Sequence, residues 1–236
     1  MHLRTLGIVA LALALAPLPA SAQNRFTVGA AGMYGQPLGE FADNVDRGFG
    51  LDGFGAVALD SRGIFSLRAE LGYLQYASKS EPFLVNTGFG LAELVSETKS
   101  GVLMLGAGPH IMAPSGAIRP YIGGTVGFAR FATNTAIKID ADNSNSGEDE
   151  TLDEQTISSD FILSIGASAG LAISIPALAR SGVLIDLGAR YHRNGLAKYV
   201  SPEGVVYNGT GTPTVTATES EADFIVYRIG IVVPIR

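Results

Sequence analysis

The feature that most constrains this chain is a strict alternation of residue types between positions 161 and 175. One side of the alternation is almost wholly large and apolar, and the other is small or polar. The first side consists of Phe161, Leu163, Ile165, Ala167, Ala169, Leu171, Ile173 and Ile175, and the second of Ile162, Ser164, Gly166, Ser168, Gly170, Ala172 and Ser174. A helix would repeat every 3.6 residues, whereas side chains on a strand alternate between two faces. The pattern therefore predicts a β-strand that separates an apolar environment from a polar one.

Seven further segments show the same alternation less cleanly. In the third, Phe65 and Leu67 share a face that opposes the face of Arg68 and Glu70. The eight predicted strands span 25–35, 48–59, 64–76, 97–112, 119–131, 159–175, 183–193 and 222–235. We expect an all-β protein, and specifically an eight-stranded antiparallel up-and-down transmembrane β-barrel.

The connections between these segments alternate in length, which is the basis for the barrel prediction. Short connections fall at 60–63, 113–118 and 176–182, and long ones at 36–47, 77–96, 132–158 and 194–221. Tight turns at one end and long loops at the other are typical of up-and-down barrels in outer membranes. Ten strands stay open as an alternative, if 83–96 or 203–218 forms a further hairpin.

The first 22 residues have the three parts of a bacterial secretory signal. Arg4 is the basic start, Leu6 to Ala16 is the apolar stretch, and the small residues Ala20-Ser21-Ala22 form the cleavage site. We predict cleavage after Ala22 and a barrel domain over 23–236. The remaining sequence has no apolar run near the roughly 20 residues that a membrane-spanning helix needs.

Composition excludes several classes of function. The chain has no Cys, which excludes disulfides, thiolate chemistry and a lipoprotein anchor. Its formal net charge is −6 and it has no basic cluster, so we expect no nucleic-acid partner. With 47% hydrophobic and 16% charged residues it is too apolar to be disordered.

Alternation alone does not say whether the apolar face meets lipid or, as in a soluble lipocalin, fills the interior. Aromatic residues favour lipid, because they cluster where each apolar face reaches the long-loop end, and so does a polar face rich in Gly, Ala and Ser, which fits a small closed interior. This predicted outer girdle consists of Tyr34, Phe49, Tyr73, Phe128, Phe161, Tyr191 and Tyr227. The inner girdle is thin, with Phe26 and Phe65 as its members. A lipocalin would also be expected to carry a Gly-x-Trp motif, and the chain has no Trp.

The polar faces of the strands carry balanced charge. The acids are Asp52, Glu70 and Asp186, and the bases are Arg68, Arg190 and Arg228. Because an unpaired buried charge is costly, the three-to-three balance favours a structural network inside a narrow lumen. The alternative is a gated ion path.

With the signal, the eight alternating segments and the final strand ADFIVYRIGIVVPIR, the chain resembles the small outer-membrane β-barrel family of OmpX-, OmpW- and OmpA-like barrels. The resemblance covers roughly residues 24–236. It departs at the end, because the family usually closes on an aromatic residue and this chain closes on Ile235-Arg236. The resemblance implies a bacterial outer-membrane location, contact with lipid and lipopolysaccharide, and engagement of the barrel-assembly machinery during biogenesis. It brings no catalytic motif and no cofactor.

The segment 139–155 is a weak candidate for calcium. It contains no base and seven acids, among them Asp140, Asp142, Glu148, Asp149, Glu150 and Asp153. Carboxylates at this density suit Ca²⁺, but the spacing fits a calcium loop only in part. We expect a solvated extracellular loop and no bound metal.

Histidine chemistry is the remaining catalytic possibility. A lipid hydrolase would need a Ser–His–acid set, which His192 could form with Ser201 and Glu203, or with Glu219. No motif supports this set, and we expect His192 and His110 to be plain lumen or rim residues.

Taken together, these patterns predict a non-enzymatic outer-membrane protein with a structural or surface-interaction role. The alternatives are a narrow passive pore for ions or small solutes, and a lipid-modifying enzyme. A closed barrel needs no partner to satisfy its edges, so we expect a monomer.

Overall fold

The computed structural model describes residues 26–86, 91–139, 150–176, 181–207 and 213–235. The predicted signal segment lies outside these residues. Eight strands form a closed antiparallel barrel, as predicted, in the order β1–β2–β3–β4–β5–β6–β7–β12. Their bounds are β1 Phe26–Pro37, β2 Gly48–Ala58, β3 Phe65–Asn86, β4 Leu91–Met112, β5 Ile118–Ile139, β6 Glu150–Ser174, β7 Leu184–Arg193 and β12 Phe224–Ile235.

The remaining elements belong to the long connections. Helix α1 spans Gly39–Asn44, between β1 and β2. Four short strands pair outside the barrel, β8 with β11 and β9 with β10. Their bounds are β8 Leu196–Tyr199, β9 Val205–Val206, β10 Thr214–Val215 and β11 Thr218–Glu221.

Closure comes from the pairing of the first and last strands. β1 runs antiparallel to β12 from Phe26↔Ile235 to Pro37↔Phe224. Each wall strand therefore has a hydrogen-bonded neighbour on both sides, which a backbone in hydrocarbon requires. Among the described residues, no helix is long and apolar enough to cross a membrane.

The long connections 77–96 and 132–158 were predicted too long, because the strands continue into them. β3 reaches Asn86, β4 starts at Leu91, β5 reaches Ile139 and β6 starts at Glu150. Outside a bilayer the outward face meets water, and the inward face carries buried hydroxyl side chains such as Thr98 and Thr133, so the hydrophobic period disappears while backbone pairing continues. Bulges at Gln75/Ala77 and Thr133/Asn134 lie near this change.

These extensions also decide the strand count. Residues 83–86 and 91–96 lengthen β3 and β4 and add no new wall strand. Within 203–218, β9 and β10 pair only with each other. The ten-stranded alternative is wrong for the described residues.

The first short turn shows how the sequence ends a hairpin. The Asp60 carboxylate accepts hydrogen bonds from the backbone N–H of Phe65 at 2.8 Å and of Arg62 at 3.1 Å. The Phe65 hydrogen bond, joined by others from the turn, lowers the pKa of Asp60. Gly63 adopts φ 69°, a left-handed conformation that glycine takes without strain.

The outer wall of the barrel is a continuous apolar surface. Leu51 is 72% exposed and Ile229 is 63% exposed, which no water-soluble barrel would display over its whole circumference. Six of the seven predicted girdle aromatics are more than a third exposed, and the seventh, Tyr34, is partly exposed. Tyr34 packs edge-on against Phe49 at 5.5 Å, and Phe128 stacks on Phe161 at 5.0 Å. The wall has the architecture of a membrane-spanning surface with one strong aromatic belt.

Substitution of Leu187 tests where the wall lies in the bilayer. Leu187 lies on β7 midway between Tyr191 and the short-turn end, so we expect it near the bilayer centre. We expect Leu187→Arg to lower the free energy of unfolding by about 2–4 kcal/mol in lipid vesicles, since a cation at the bilayer centre is costly. Leu59→Arg, beside the Asp60 turn, is the control and should cost at most about 1 kcal/mol. Urea titration of both variants measures the difference, and equal costs would contradict this placement.

Candidate functional site in the barrel interior

The six charged residues predicted for the polar faces all lie inside the barrel. Outward Leu67 and Leu71 alternate with inward Arg68 and Glu70 on β3, as the strand period requires. The other four come from β2, β7 and β12. None of the six is more than 7% exposed: Asp52, Arg68, Glu70, Asp186, Arg190 and Arg228.

These charges form one connected layer across the lumen. Arg68 Nε lies 3.3 Å from Glu70 Oε2, and the same carboxylate accepts a hydrogen bond from Arg190 Nη2. Arg190 Nη1 lies 3.8 Å from Asp52 Oδ2, which also receives Arg228 Nη1 at 3.2 Å. The neutral total offsets the desolvation of each member.

Asp186 and Tyr121 are the last members of this connected layer. Arg228 Nη2 lies 3.1 Å from Asp186 Oδ2, and the Tyr121 hydroxyl donates to Asp186 Oδ1 at 2.7 Å. Two glycines make room for the phenol ring, because a Cβ at Gly170 or Gly188 would approach the Tyr121 hydroxyl to 2.4 or 2.2 Å. Sequence reasoning missed Tyr121, although an inward tyrosine opposite glycines was a visible signal.

Little space remains within the layer. A cavity of about 10 Å³, lined by Asp52, Glu70 and Arg190 among others, lies at this level of the lumen. That volume holds no more than about one water molecule. The geometry braces opposite walls of the barrel, as a structural network would.

Substitution of Glu70 tests whether the ion-pair layer stabilises the barrel, because Glu70 contacts two arginines. We expect Glu70→Gln to destabilise the barrel by about 3–5 kcal/mol, since it leaves buried positive charge uncompensated. Glu219→Gln is the matched control, because Glu219 forms an exposed ion pair with Lys198 at 3.4 Å. Such a pair is worth at most about 1 kcal/mol. Equilibrium unfolding that shows equal losses would mean that the layer is not structural.

Above the layer, towards the long connections, the interior is apolar, which the sequence analysis did not foresee. A core cluster fills this half of the barrel: Met33, Phe41, Val45, Leu74, Tyr76, Val102, Met104, Ala129, Phe131, Ala197, Tyr199, Ala222, Phe224 and Val226. The signal was present, since Met33, Leu74 and Met104 are apolar residues on faces that otherwise carry small or polar ones.

Helix α1 supplies the centre of this cluster. Phe41 is 1% exposed and contacts the rings of Tyr199 at 4.8 Å, Tyr76 at 5.7 Å and Phe131 at 5.9 Å. A backbone hydrogen bond of 3.0 Å from Leu38 N to Asp223 O ties the start of the helical connection to the last loop. The first and last long connections therefore close the barrel mouth together.

The structure does not assemble the histidine set that a hydrolase would need. His192 is buried, with Nδ1 3.4 Å from Ser164 Oγ and its ring stacked on Phe224 at 4.9 Å. Ser201 instead accepts a hydrogen bond from Gly204 N, and Glu219 pairs with Lys198. The other histidine among the described residues, His110, has Nδ1 3.2 Å from Ser66 Oγ at the opposite end of the lumen.

The weak calcium candidate lies mostly outside the described residues. Asp140, Asp142, Glu148 and Asp149 are not described, and Glu150 and Asp153 are described only as backbone of β6. Within the described part of the chain, no group of three or more acidic, His or Cys side chains is placed to hold a metal ion.

The strand extensions carry their own polar contacts. Glu97 lies 2.6 Å from Lys99 Nζ and 2.8 Å from Lys138 Nζ. Although burial alone would raise it, the pKa of the Glu97 carboxyl is lowered because both ammonium groups hydrogen-bond to it. On the inner side, Thr98 contacts Thr135 at 2.8 Å and Ser100 contacts Thr133 at 2.9 Å.

No family model matches the chain, and no curated protein matches it. Solved structures do. The Neisserial surface protein A is 14% identical, with 89% of this chain and 97% of that chain covered at a TM-score of 0.46. Ail, the attachment invasion locus protein of Yersinia pestis, is 10% identical, with 90% and 99% covered at 0.44.

The outer membrane protein OprG from Pseudomonas aeruginosa is 13% identical, with 91% of this chain and 97% of that chain covered at a TM-score of 0.46. All three are distant in sequence. In its own closed eight-stranded wall and its exposed apolar surface, the chain has the architecture of a small outer-membrane β-barrel.

Proposed function

We propose that this chain is a bacterial outer-membrane barrel that conducts no solute and acts without catalysis, through contacts made by its extracellular sheet. The observation that carries the proposal is the two-tier filling of the lumen. A neutral ion-pair layer braces the middle of the barrel, and the Phe41 cluster fills the half above it. A path for ions or solutes would have to displace both.

The extended ends of β3, β4, β5 and β6 support a surface role. They continue their pairing beyond the aromatic belt up to Asn86↔Leu91 and Ile139↔Glu150. Hydrogen bonds tie the last long connection to this sheet, since the Tyr207 hydroxyl lies 2.7 Å from Thr98 Oγ1 and Lys79 Nζ donates to Val205 O at 2.8 Å. An ordered sheet of this kind loses little entropy when a partner binds.

Conductance in a planar bilayer tests the closed lumen. We expect no discrete openings from refolded barrels whose insertion is verified by a cold-versus-boiled gel shift, because both tiers block the path. Phe41→Ala removes the centre of the apolar tier and leaves the ion-pair layer, so it should stay silent as well. Steady openings in the unmodified protein, altered by Arg190→Gln, would favour the passive pore instead.

Cysteine labelling tests which end faces outward, and the absence of native Cys gives a clean background. We expect Ser80→Cys, in the β3 extension, to react with a membrane-impermeant maleimide on intact cells. Ser115→Cys, in the short turn between β4 and β5, should react only after the outer membrane is permeabilised. The reverse pattern would contradict an extracellular sheet.

A further inference from the structure

A second cavity lies at the short-turn end of the lumen, below the ion-pair layer. Its volume is about 190 Å³, which corresponds to roughly six waters of liquid volume. The ion-pair layer, through Arg68 and Asp186, forms its inner end, and the turn residues Gly63 and Pro114 lie at its mouth. This cavity is separate from the extracellular sheet of the proposed function.

Two buried side chains present unused hydrogen-bonding atoms here. Arg68 is 5% exposed, and while its Nε pairs with Glu70, its Nη2 is buried without a hydrogen-bond partner. His110 is 7% exposed, and its Nε2 is likewise buried without a partner. Both residues line the cavity. A buried donor left unmatched is costly, so an acceptor that reached these atoms from the cavity would be stabilised.

His110 can donate in this position. Its Nδ1 lies 3.2 Å from Ser66 Oγ, whose hydroxyl can donate either to that nitrogen or to the His110 carbonyl. When Ser66 donates to Nδ1, the ring proton sits on Nε2. A protonated ring donates from Nε2 as well.

The charge around the cavity is positive among the described residues. Arg62, Arg68 and Arg119 line it, and Asp186 is the acid among its lining residues. Both oxygens of Asp186 are already engaged, by Tyr121 and Arg228. The Asp60 carboxylate, next to Arg62 in the chain, is used by the backbone of its own turn. An anion entering the cavity would therefore meet Arg62 and Arg119, which form no ion pair with another described residue.

One part of the cavity wall is apolar. Phe54, Met112, Ala172 and Val232 line it, and the Arg68 guanidinium lies 3.5 Å from the centre of the Phe54 ring. That contact fixes the plane of the guanidinium and leaves its edge for a planar acceptor. A carboxylate or phosphate ester with a short apolar group matches this combination of surfaces.

We propose that this cavity is a binding site for a small organic oxyanion, held by Arg68 and His110, drawn in by Arg62 and Arg119, and packed against Phe54. The ligand enters from the short-turn end, which faces the periplasm in the proposed orientation. The ion-pair layer stops it from going further, so the site binds and does not conduct.

Calorimetric titration of the refolded barrel, in an uncharged detergent, with benzoate and with phenyl phosphate tests the proposal. We expect saturable binding of both anions. Benzamide, which has the same ring and no charge, should bind at least about tenfold more weakly, because charge-assisted hydrogen bonds are the stronger ones. Absence of saturable binding, or equal binding of benzamide, overturns the proposal.

Variants locate the site. Ala58→Phe fills the mouth and leaves every charge in place, so it should abolish binding. The double variant Arg62→Gln with Arg119→Gln should weaken binding. Arg130→Gln is the matched control, because Arg130 is an exposed arginine on the extracellular half, and it should leave binding unchanged.

The Arg68→Lys variant should lose at least about tenfold in affinity because it removes the forked donor. If that variant fails to fold, the other three still decide, since they lie outside the ion-pair layer. Unchanged binding by Ala58→Phe overturns the site.

The same titration in vesicles separates two sources of the oxyanion. Benzoate binding that is equal in neutral phosphatidylcholine and in vesicles containing phosphatidylglycerol supports a free periplasmic anion. Loss of benzoate binding only with phosphatidylglycerol, restored in neutral vesicles, supports a lipid headgroup in the same cavity.

Discussion

The structure depends on one constraint: a backbone that crosses hydrocarbon must satisfy its hydrogen bonds internally. The pairing of β1 with β12 meets it, because it removes the last free edges of the wall. Once the sheet is closed, the strand period sends every second side chain into a narrow lumen. Apolar side chains that face inward must then be packed, and charged ones must be paired. The inward side chains differ in type from one level of the lumen to the next.

Three levels follow along the lumen. Phe41 and its aromatic neighbours fill the half of the lumen at the long-connection end as a protein core would. Asp52, Glu70 and their arginine partners occupy the middle as a neutral layer. The cavity beneath is lined by Arg68 and His110, whose Nη2 and Nε2 atoms are buried without a hydrogen-bond partner. Apolar packing dominates the first level and ion pairing the second, and the third is the level where the proposed ligand would bind.

The sequence resemblance placed the chain among small outer-membrane barrels, and the architecture agrees with it. Function does not follow from architecture, because barrels of this size differ chiefly in their loops and lumen contents. Here the filled lumen supports the proposal of a closed barrel, and the extended strands β3 to β6 supply the ordered surface that the proposed role would use. These two features, rather than the barrel itself, distinguish the surface role from the pore.

The sequence by itself determined the eight strands, their inward and outward faces and the aromatic belt, because a lipid-facing wall imposes a period of two on its residues. It also indicated which six charges share the lumen. Only the tertiary structure decided which of these charges form ion pairs with each other, since Glu70 and Arg190 are 120 positions apart and meet only after the barrel closes. It likewise decided the length of β3 to β6, because strands in water lose the hydrophobic period, and the inward placement of Phe41, whose loop carries no periodic signal.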